Sequence, residues 1–227
     1  MTRKPLPLYE EILLLALDDD KGTTSQGGFF RNSMGGAILA ELALNGSLSI
    51  ANDKGKRVQV VRHGRLDDPI LDECLTMVRE AKKPKKASEW VMKFAALKDL
   101  KNRVARQLVA KGVLAEDTGS VLKIFKRTIY PEVDGGPEKD LRERMEKAIF
   151  TATTNMETRT VVIIALAHAG NMLKNVFPKN KLKERKQRLE KLTSGQLAGK
   201  ATKEAVAAVQ AAIMVTAVMP AIYTAAT

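Results

Sequence analysis

Hydrophobic residues recur at helical spacing along most of the chain and are separated by short polar breaks. This period predicts a mainly α-helical protein, because one apolar face per helix must be buried against neighbours. A loop is predicted over Thr23–Asn32, where Thr, Ser and Gly are frequent. The predicted helices are a first one between Pro7 and the polar run at 18–22, then Ser33–Leu44, Asp67–Ala81, one capped by Ser88, Leu97–Lys111, one after Pro137, Glu157–Phe177, Arg185–Leu192 and Lys203–Thr227.

Two short β-hairpins are predicted between these helices. The first pairs Ser47–Ile50 with Arg57–Arg62 around a turn at 52–55, and the second pairs Val113–Leu114 with Val121–Lys126 around a turn at 115–119. Each hairpin follows a helix and a glycine, so the order helix, Gly, strand, turn, strand occurs twice. The same order of elements is therefore repeated within the chain, and each repeat has the outline of a winged helix.

The length and composition predict a single folded domain. The chain has 227 residues, of which 44% are hydrophobic and 28% charged. We predict one domain over residues 1–227, with residues 1–4 as a short basic tail. The last 23 residues, 205–227, are uncharged and long enough to span a bilayer. They are rich in Ala, include Pro220, and lack an aromatic belt, so a buried helix at the centre of a bundle is predicted instead.

The net charge of +12 comes entirely from two stretches of the sequence. Ten basic and three acidic residues lie between Arg79 and Arg106, and seven basic and two acidic residues lie between Pro178 and Lys191. A charge run usually marks a solvated helix face. Two clusters on an otherwise neutral chain favour an electrostatic docking surface for an anionic partner, either nucleic acid or membrane headgroups.

Residues that could perform catalysis are sparse and badly placed. One cysteine, Cys74, excludes an intramolecular disulfide, and its apolar neighbours at helical spacing predict a packed thiol. His168 lies in an apolar run and is predicted to be a core histidine. The run Asp18–Asp20 is typical of a solvated loop. The glycine pairs 27–28 and 35–36 have the wrong spacing for phosphate-binding loops. We therefore expect no enzyme activity, no metal and no cofactor.

A nucleic-acid-binding protein with winged-helix-like elements is the alternative. The helix Leu97–Lys111 offers Lys98, Lys101, Asn102 and Arg106 for contacts with bases or phosphates. Against this class, the helix Ser33–Leu44 is apolar, and aromatic residues make up only 4% of the chain, which disfavours stacking on bases.

Five segments, in this order and spacing, resemble the Golgi phosphoprotein 3 family over about Pro5–Met219. They are LPLYEEILLLALDDDKGTTS, MGGAILAELALNGSLSI, ILDECLTMVREA with Trp90 following, VARQLVAKGVL with its hairpin, and IIALAHAGNMLKNVF.

The resemblance implies a mainly α fold in which amphipathic helices surround a central apolar helical bundle, with a β-hairpin. It implies a peripheral membrane protein, not an enzyme. Eukaryotic members bind phosphatidylinositol 4-phosphate on Golgi membranes and the cytosolic tails of glycosyltransferases. The family's hairpin is associated with self-assembly, which implies homo-oligomer formation through the hairpin at 113–126 here.

The family's lipid pocket carries over unevenly. Its loop Trp falls on Gln26 or Gly27, its first Arg falls on Gly35, and its last two Arg fall on Lys98 and Lys101. Two positions are thus lost, and two keep their charge without the bidentate guanidinium fork. Arg31 lies close by in the predicted loop, and we infer that it replaces the lost Arg.

The sequence therefore predicts a cytoplasmic, peripheral membrane protein, on the cytosolic face of the Golgi if the source is eukaryotic. Lys98, Lys101 and Arg31 are the predicted lipid-binding residues. Lys98 and Lys101 are three residues apart on a predicted helix, which places them on one face, and phosphate headgroups require several converging donors. The expected partners are an anionic phospholipid surface and the tails of membrane enzymes.

Overall fold

The computed structural model describes residues 5–17, 24, 27–51, 56–62, 64–121, 125–154, 156–194 and 210. Within these ranges the chain forms mainly helices, with two antiparallel two-stranded sheets. In order, the elements are α1 (Leu8–Ala16), α2 (Gly27–Leu44), β1 (Leu48–Ile50), β2 (Val58–Val60), α3 (Pro69–Arg79), α4 (Ala87–Ala95), α5 (Leu100–Ala110), β3 (Asp117–Val121), β4 (Phe125–Ile129), α6 (Gly136–Phe150), α7 (Thr158–Ala169), α8 (Leu173–Val176), α9 (Lys179–Glu184) and α10 (Lys186–Thr193).

The mainly α fold with a central apolar bundle is confirmed. Every residue of α1 is buried, as are most of α2 and α7, so these three helices form the centre. Amphipathic helices such as α3 and α4 lie around it and turn one apolar face inward. On α4 that face includes Trp90 and Phe94, whose ring centroids are 5.6 Å apart.

The directions of α2 and α7 follow from two side-chain contacts. Near the start of α7, Arg159 binds Glu41 in the last part of α2 at 2.9 Å. At the other end of α7, the Leu166 carbonyl accepts a hydrogen bond from the Ser33 hydroxyl in the first half of α2. The two helices are therefore antiparallel, and the C-terminal end of α7 lies beside the N-terminal half of α2.

Helix α4, like α7, runs antiparallel to α2. Two backbone hydrogen bonds join the start of α4 to the start of β2, beside the hairpin that follows α2. Ala87 N–H donates to the Lys56 carbonyl, and Val58 N–H donates to the Lys85 carbonyl. The last turn of α4 touches the middle of α2, where a Cβ built on Gly35 would lie 3.1 Å from that of Ala95. The chain after Ala95 therefore continues toward the N-terminal end of α2.

Both predicted hairpins are present, and their repeated outline is visible in the backbone. Leu48 pairs with Val60 in the first, and Asp117 pairs with Ile129 in the second. The helix before each hairpin ends at a glycine with positive φ, Gly46 at 73° and Gly112 at 71°. Glycine adopts this conformation without a steric penalty, which is why the same stop occurs twice.

Several predicted boundaries are wrong. Helix α2 begins at Gly27, so most of the predicted loop Thr23–Asn32 is helical. The N-cap of α4 is Lys86, and Ser88 lies within the first turn. Strand β3 covers residues 117–121, where we predicted a turn at 115–119. In each case a neighbouring element overrides the local preference of small polar residues.

The predicted helix Glu157–Phe177 is two helices. It stops at Ala169, and the chain turns through Gly170 and Asn171, the latter with a φ of 58°. Asparagine tolerates the left-handed region better than most residues, so the break has a local cause. His168, predicted to be a core histidine, is exposed at this end of α7.

Some predictions lie outside the described residues, namely the basic tail 1–4, the Asp18–Asp20 run, the turn at 52–55 and all but residue 210 of the helix Lys203–Thr227. Across the part of the chain that is described, no helix has both the length and the hydropathy needed to cross a bilayer.

Candidate functional site

The N-terminal turns of α2 expose one aromatic and one basic residue. Phe29 is 41% exposed, although a large aromatic side chain is usually buried. Arg31 is also exposed and forms no ion pair with a described residue. Residues four apart lie on one helix face, so Phe29 continues the face of Ser33 toward α7, and Arg31 continues the face of Gly35 toward α4.

The turn between α4 and α5 adds lysines on the side of Arg31. Lys93 in the last part of α4 and Lys98 in the turn are both exposed, and neither has an ion pair within the described residues. Because the chain after α4 runs toward the N-terminal end of α2, Lys98 lies at the same end of the bundle as Arg31. Convergence of Lys98, Lys101 and Arg31 on one phosphate stays a prediction.

Lys98 and Lys101 do not share a helix, which corrects the prediction of a helix over Leu97–Lys111. Helix α5 begins at Leu100, and its N-cap Asp99 has a φ of 55°, so the backbone changes direction between the two lysines. Lys101 is half-buried in the first turn of α5, whereas Lys98 is exposed before it. The argument that both lie on one helix face therefore fails.

Gly35 has no room for the arginine that the family resemblance implies at this position. A Cβ at Gly35 would lie 2.3 Å from the Val91 carbonyl oxygen and 2.9 Å from the Ala95 nitrogen. Real Cβ atoms do not approach backbone atoms so closely, hence any side chain here must push α2 and α4 apart. The loss of this arginine is thus tied to the close packing of the two helices.

Part of the first basic cluster is neutralised within the fold. Arg103 pairs with Glu73 of α3, and Arg106 pairs with Asp99 at 3.1 Å. The uncompensated positive charge of this cluster is consequently weighted toward residues before α5, including the exposed Lys82, Lys83, Lys93 and Lys98.

The segment after α7 adds a further lysine at the same end of the bundle, from the other side of α2. Gly170, just after α7, lies so close to α2 that an added Cβ would be 2.6 Å from the Ser33 hydroxyl oxygen. Lys174 follows four residues later on α8 and is exposed. The N-terminal turns of α2 therefore lie between the exposed lysines of the first basic cluster and Lys174, which precedes the second cluster. We call the side of this end that carries Phe29, Arg31, Lys93 and Lys98 the basic rim.

Two exposed apolar residues were not recognised as surface residues from the sequence. Phe29 lies within the predicted loop, and Met92, which is 48% exposed, lies in the predicted helix that follows Ser88. The position of Met92 around the helix axis would have identified it as a surface residue. With Val91 and Ala95 against α2, residue 92 is rotated by about 100° from that contact and faces outward.

The interior contains a separate set of charges around α1. The Lys111 ammonium binds Glu10 at 2.6 Å, and the Arg144 guanidinium binds Glu11 at 2.7 Å. Burial, the largest cause, raises the pKa of Glu10 to about 7, with the Lys111 interaction opposing it. Burial also raises the pKa of Glu11 against the opposing charge of Arg144.

A polar cleft of about 560 Å³ opens beside Glu11 and Arg159. Carboxylates and cations alternate along its walls, and both named residues already have partners, Arg144 for Glu11 and Glu41 for Arg159. We assign these groups to the fold, because each ion pair joins helices that are far apart in sequence.

The thiol of Cys74 is closed off from solvent, and the metal-ligating side chains are dispersed within the described residues. Cys74 is fully buried, and burial raises the pKa of its thiol, which keeps it protonated and unreactive. Within the described ranges, no three His, Cys, Asp or Glu side chains are grouped closely enough to hold a metal ion.

These observations define a helical protein with a basic rim at one end of an apolar bundle. The family model described as Golgi phosphoprotein 3 (GPP34) matches residues 8–209. The chain therefore belongs to the Golgi phosphoprotein 3 family, a Golgi-associated family. It is similar to vacuolar protein sorting-associated protein 74 of Eremothecium gossypii, with 26% identity over 214 residues, 78% of this chain and 63% of the relative. The chain thus spans less than two thirds of the length of that relative.

Proposed function

We propose that this protein is a non-enzymatic peripheral membrane protein that binds anionic phospholipid headgroups through the basic rim. Family membership makes phosphatidylinositol 4-phosphate the first headgroup to test. The observation that carries the proposal is the antiparallel packing of α4 on α2, which brings the exposed Lys93 and Lys98 of the first basic cluster to the end of the bundle that exposes Arg31 and Phe29.

Charge and shape at the rim favour a membrane over a small soluble ligand. Each Lys or Arg near an anionic surface adds about 1 kcal/mol of attraction, so several together hold a protein at a bilayer without an enclosed pocket. Phe29, beside Arg31, supplies the apolar group that interfacial proteins insert at the headgroup boundary. The blocked position at Gly35 argues that the rim acts by collective charge more than by a tight inositide pocket.

Vesicle co-sedimentation tests the proposal. The wild-type chain is incubated with vesicles of phosphatidylcholine alone, with added phosphatidylserine, and with added phosphatidylinositol 4-phosphate. We expect binding to both anionic compositions and none to phosphatidylcholine. The variant Arg31→Ala/Lys98→Ala/Lys101→Ala is expected to bind at least tenfold more weakly, because three cations near the headgroups are removed.

A charge-matched control uses lysines on α6. Lys139 and Lys147 are exposed, and α6 meets the start of α7 through Arg144 and Thr160, at the opposite end from the rim. The double variant Lys139→Ala/Lys147→Ala should bind like the wild type, whereas the rim double variant Arg31→Ala/Lys98→Ala, which removes the same number of charges, should bind more weakly. Equal binding to neutral vesicles, or equal losses in the rim and control variants, would contradict the proposal.

Phe29 provides a second, charge-neutral test. Phe29→Ala is expected to weaken vesicle binding severalfold without changing the salt dependence. The matched control is Val133→Ala, since Val133 is exposed but hydrogen-bonded to Val113, beyond the far end of α5. Helix α5 separates Lys98 from that region by about 16 Å.

We also propose, from family membership, that the protein acts as an adaptor for cytosolic tails of membrane enzymes and self-associates through the hairpin at 113–126. Pull-down of tail peptides and analytical ultracentrifugation of the full chain test these two points. A monomer at all concentrations would exclude the self-association.

A further inference from the structure

A groove of about 310 Å³ lies between the end of α7 and the last two described helices, α9 and α10. It exists because the chain breaks at Gly170 and Asn171, after which α8 turns away and α10 returns to pack against α7. Had one helix continued from 157 to 177, this space would be absent. The groove lies on the second basic cluster, outside the predicted site of Arg31, Lys98 and Lys101.

Apolar residues form the floor of the groove and keep it in place. Leu173 and Leu189 are buried, at 4% and 6% exposure, and Leu182 is half-buried. Arg188, from the same basic run, does not face a ligand. Its guanidinium instead donates to the carbonyls of Ala148 and Thr153, at 2.7 Å and 2.6 Å, and so joins α10 to the last turn of α6 and to the segment after it.

Cations line the open side. Lys174, Lys183 and Lys186 are all exposed around the groove. One carboxylate, Glu190, is also present, and it lies 4.0 Å from the Lys186 ammonium along α10. Lys174 and Lys183 form no ion pair with any described residue. They come from different helices, α8 and α9, yet border one groove, so their positive charges are concentrated there with only Glu190 in opposition.

His168 and Asn171 complete the wall nearest to α2. The Asn171 side chain can donate a hydrogen bond to an oxyanion. The side chain of His168 is exposed at its edge, but partial desolvation of the ring lowers its pKa, which disfavours a positive charge there. The lysines therefore supply the positive charge of the groove. Lysines around an apolar floor match a phosphate attached to a lipid glycerol better than they match a fully hydrated inorganic ion.

We propose that this groove is a second binding site for the phosphate headgroup of an anionic phospholipid. The proposal rests on the proposed membrane function and extends it, because the groove opens beside the end of α7 that packs on Ser33, one helical turn from Phe29. The protein would then hold the membrane at two places, on either side of the N-terminal end of α2. Two contacts on one rigid body raise the overall affinity beyond that of either alone.

The first experiment compares matched double variants on vesicles of phosphatidylcholine with phosphatidylserine. Lys174→Gln/Lys183→Gln removes two charges from the groove but keeps side-chain length and polarity. We expect binding to fall roughly thirtyfold, the combined effect of two lysines at an anionic surface. Lys139→Gln/Lys147→Gln on α6 removes the same charge elsewhere and should leave binding unchanged. Equal effects of the two variants would overturn the proposal.

The second experiment measures which part of the protein lies next to the lipid headgroups, and it does not measure affinity. Cys74 is fully buried, so a cysteine introduced at exposed Gln187, beside Lys186, can be labelled selectively with a fluorophore. Vesicles with nitroxide on the lipid headgroup should quench this label and should not quench a label at Val133→Cys. Vesicle binding without quenching at 187 would overturn the second site while leaving the proposed function intact.

Two other outcomes distinguish a failure of the proposed membrane function from a failure of the second lipid site. If the wild-type chain binds no anionic vesicle, the proposed function fails and the second lipid site fails with it. If poly-glutamate binds at the groove and is not displaced by anionic vesicles, the groove is a peptide site and the lipid assignment is wrong.

Discussion

The charges around α1 and the charges of the basic rim belong to the same residue types but have opposite relations to the fold. Glu10, Glu11 and Glu41 each meet a cation from a distant helix, at 2.6–2.9 Å. At the rim, Arg31 and Lys98 are exposed and have no such partner among the described residues. The interior charges thus pair with each other and join helices, whereas the rim charges remain available to another molecule.

This difference explains the charge partition in the sequence. Outside the two basic clusters, positive and negative residues balance, and Lys111, Arg144 and Arg159 are on the positive side of that balance. The structure shows that these three residues neutralise buried carboxylates. The balanced part of the chain therefore includes the paired interior charges, whereas the excess of +12 comes from clusters with many exposed lysines.

The largest expected effect comes from breaking an interior pair. Arg159 donates to both Glu41 oxygens, at 2.9 Å and 3.1 Å, and to the Leu6 carbonyl. Arg159→Ala leaves the largely buried Glu41 without a cation, with Leu8 N–H still donating to it, and should lower the free energy of unfolding by about 3–5 kcal/mol. Urea denaturation measures this. The rim variant Arg31→Ala serves as control and should change stability by less than about 0.5 kcal/mol. A similar loss of stability in both variants would contradict the distinction between paired interior charges and exposed rim charges.

Overpacking the contact between α2 and α4 should lower the free energy of unfolding by a smaller amount. Gly35→Ala places a methyl group against the Val91 carbonyl and should destabilise the protein by about 1–3 kcal/mol. Gly64→Ala, where an added Cβ meets only Arg62 at 3.9 Å, is the matched control. Thermal melts would measure both, and a fully stable Gly35→Ala protein would show that α2 and α4 can separate freely.

The pH dependence of stability distinguishes interior from surface carboxylates. The pKa of Glu10 in the folded chain is raised to about 7 by burial, so the folded state holds this proton more tightly than the unfolded state. Its contribution to stability is therefore complete below about pH 4.5 and is lost as the pH rises to about 7. In Glu10→Gln this decline, up to about 1.4 kcal/mol per pH unit, should disappear. Glu80→Gln, an exposed carboxylate, is the control, and identical profiles for the wild type and Glu10→Gln would refute the effect.

Salt should produce the smallest change in folding and a large one in vesicle binding. Raising the ionic strength from about 0.1 M to 1 M shortens the Debye length from about 10 Å to 3 Å. Rim charges then lose their attraction for headgroups, while paired interior charges are little affected. Sedimentation should show release from vesicles, with the urea midpoint nearly unchanged. Retention at high salt would indicate apolar insertion as the dominant force.

The sequence was sufficient for the type and order of most elements, and for the two basic clusters. Apolar period and glycine stops are local signals, so α3, α6 and the first hairpin were predicted close to their observed places. The strands of the second hairpin, predicted at 113–114 and 121–126, lie at 117–121 and 125–129. The resemblance to the Golgi phosphoprotein 3 family is confirmed by the family match.

The relation between the two clusters could not be predicted from the sequence. It depends on antiparallel contacts such as Arg159 with Glu41, which join residues 118 positions apart. The break at Asn171 and the left-handed Asp99 were missed because single non-glycine residues with positive φ leave only a weak sequence signal. These two breaks change the candidate site most, since one creates the groove and the other separates Lys98 from α5.

The repeated helix–glycine–hairpin unit also has a consequence for how the chain folds. In α2–β1–β2 and α5–β3–β4, contacting residues are close in sequence, so little loop entropy opposes their formation. Helix α1 differs, since Glu10 meets Lys111 across 101 positions and Glu11 meets Arg144 across 133. We expect both local units to gain amide protection early in pulsed hydrogen exchange and α1 to gain it last. The most deeply buried helix would then be the final one to dock.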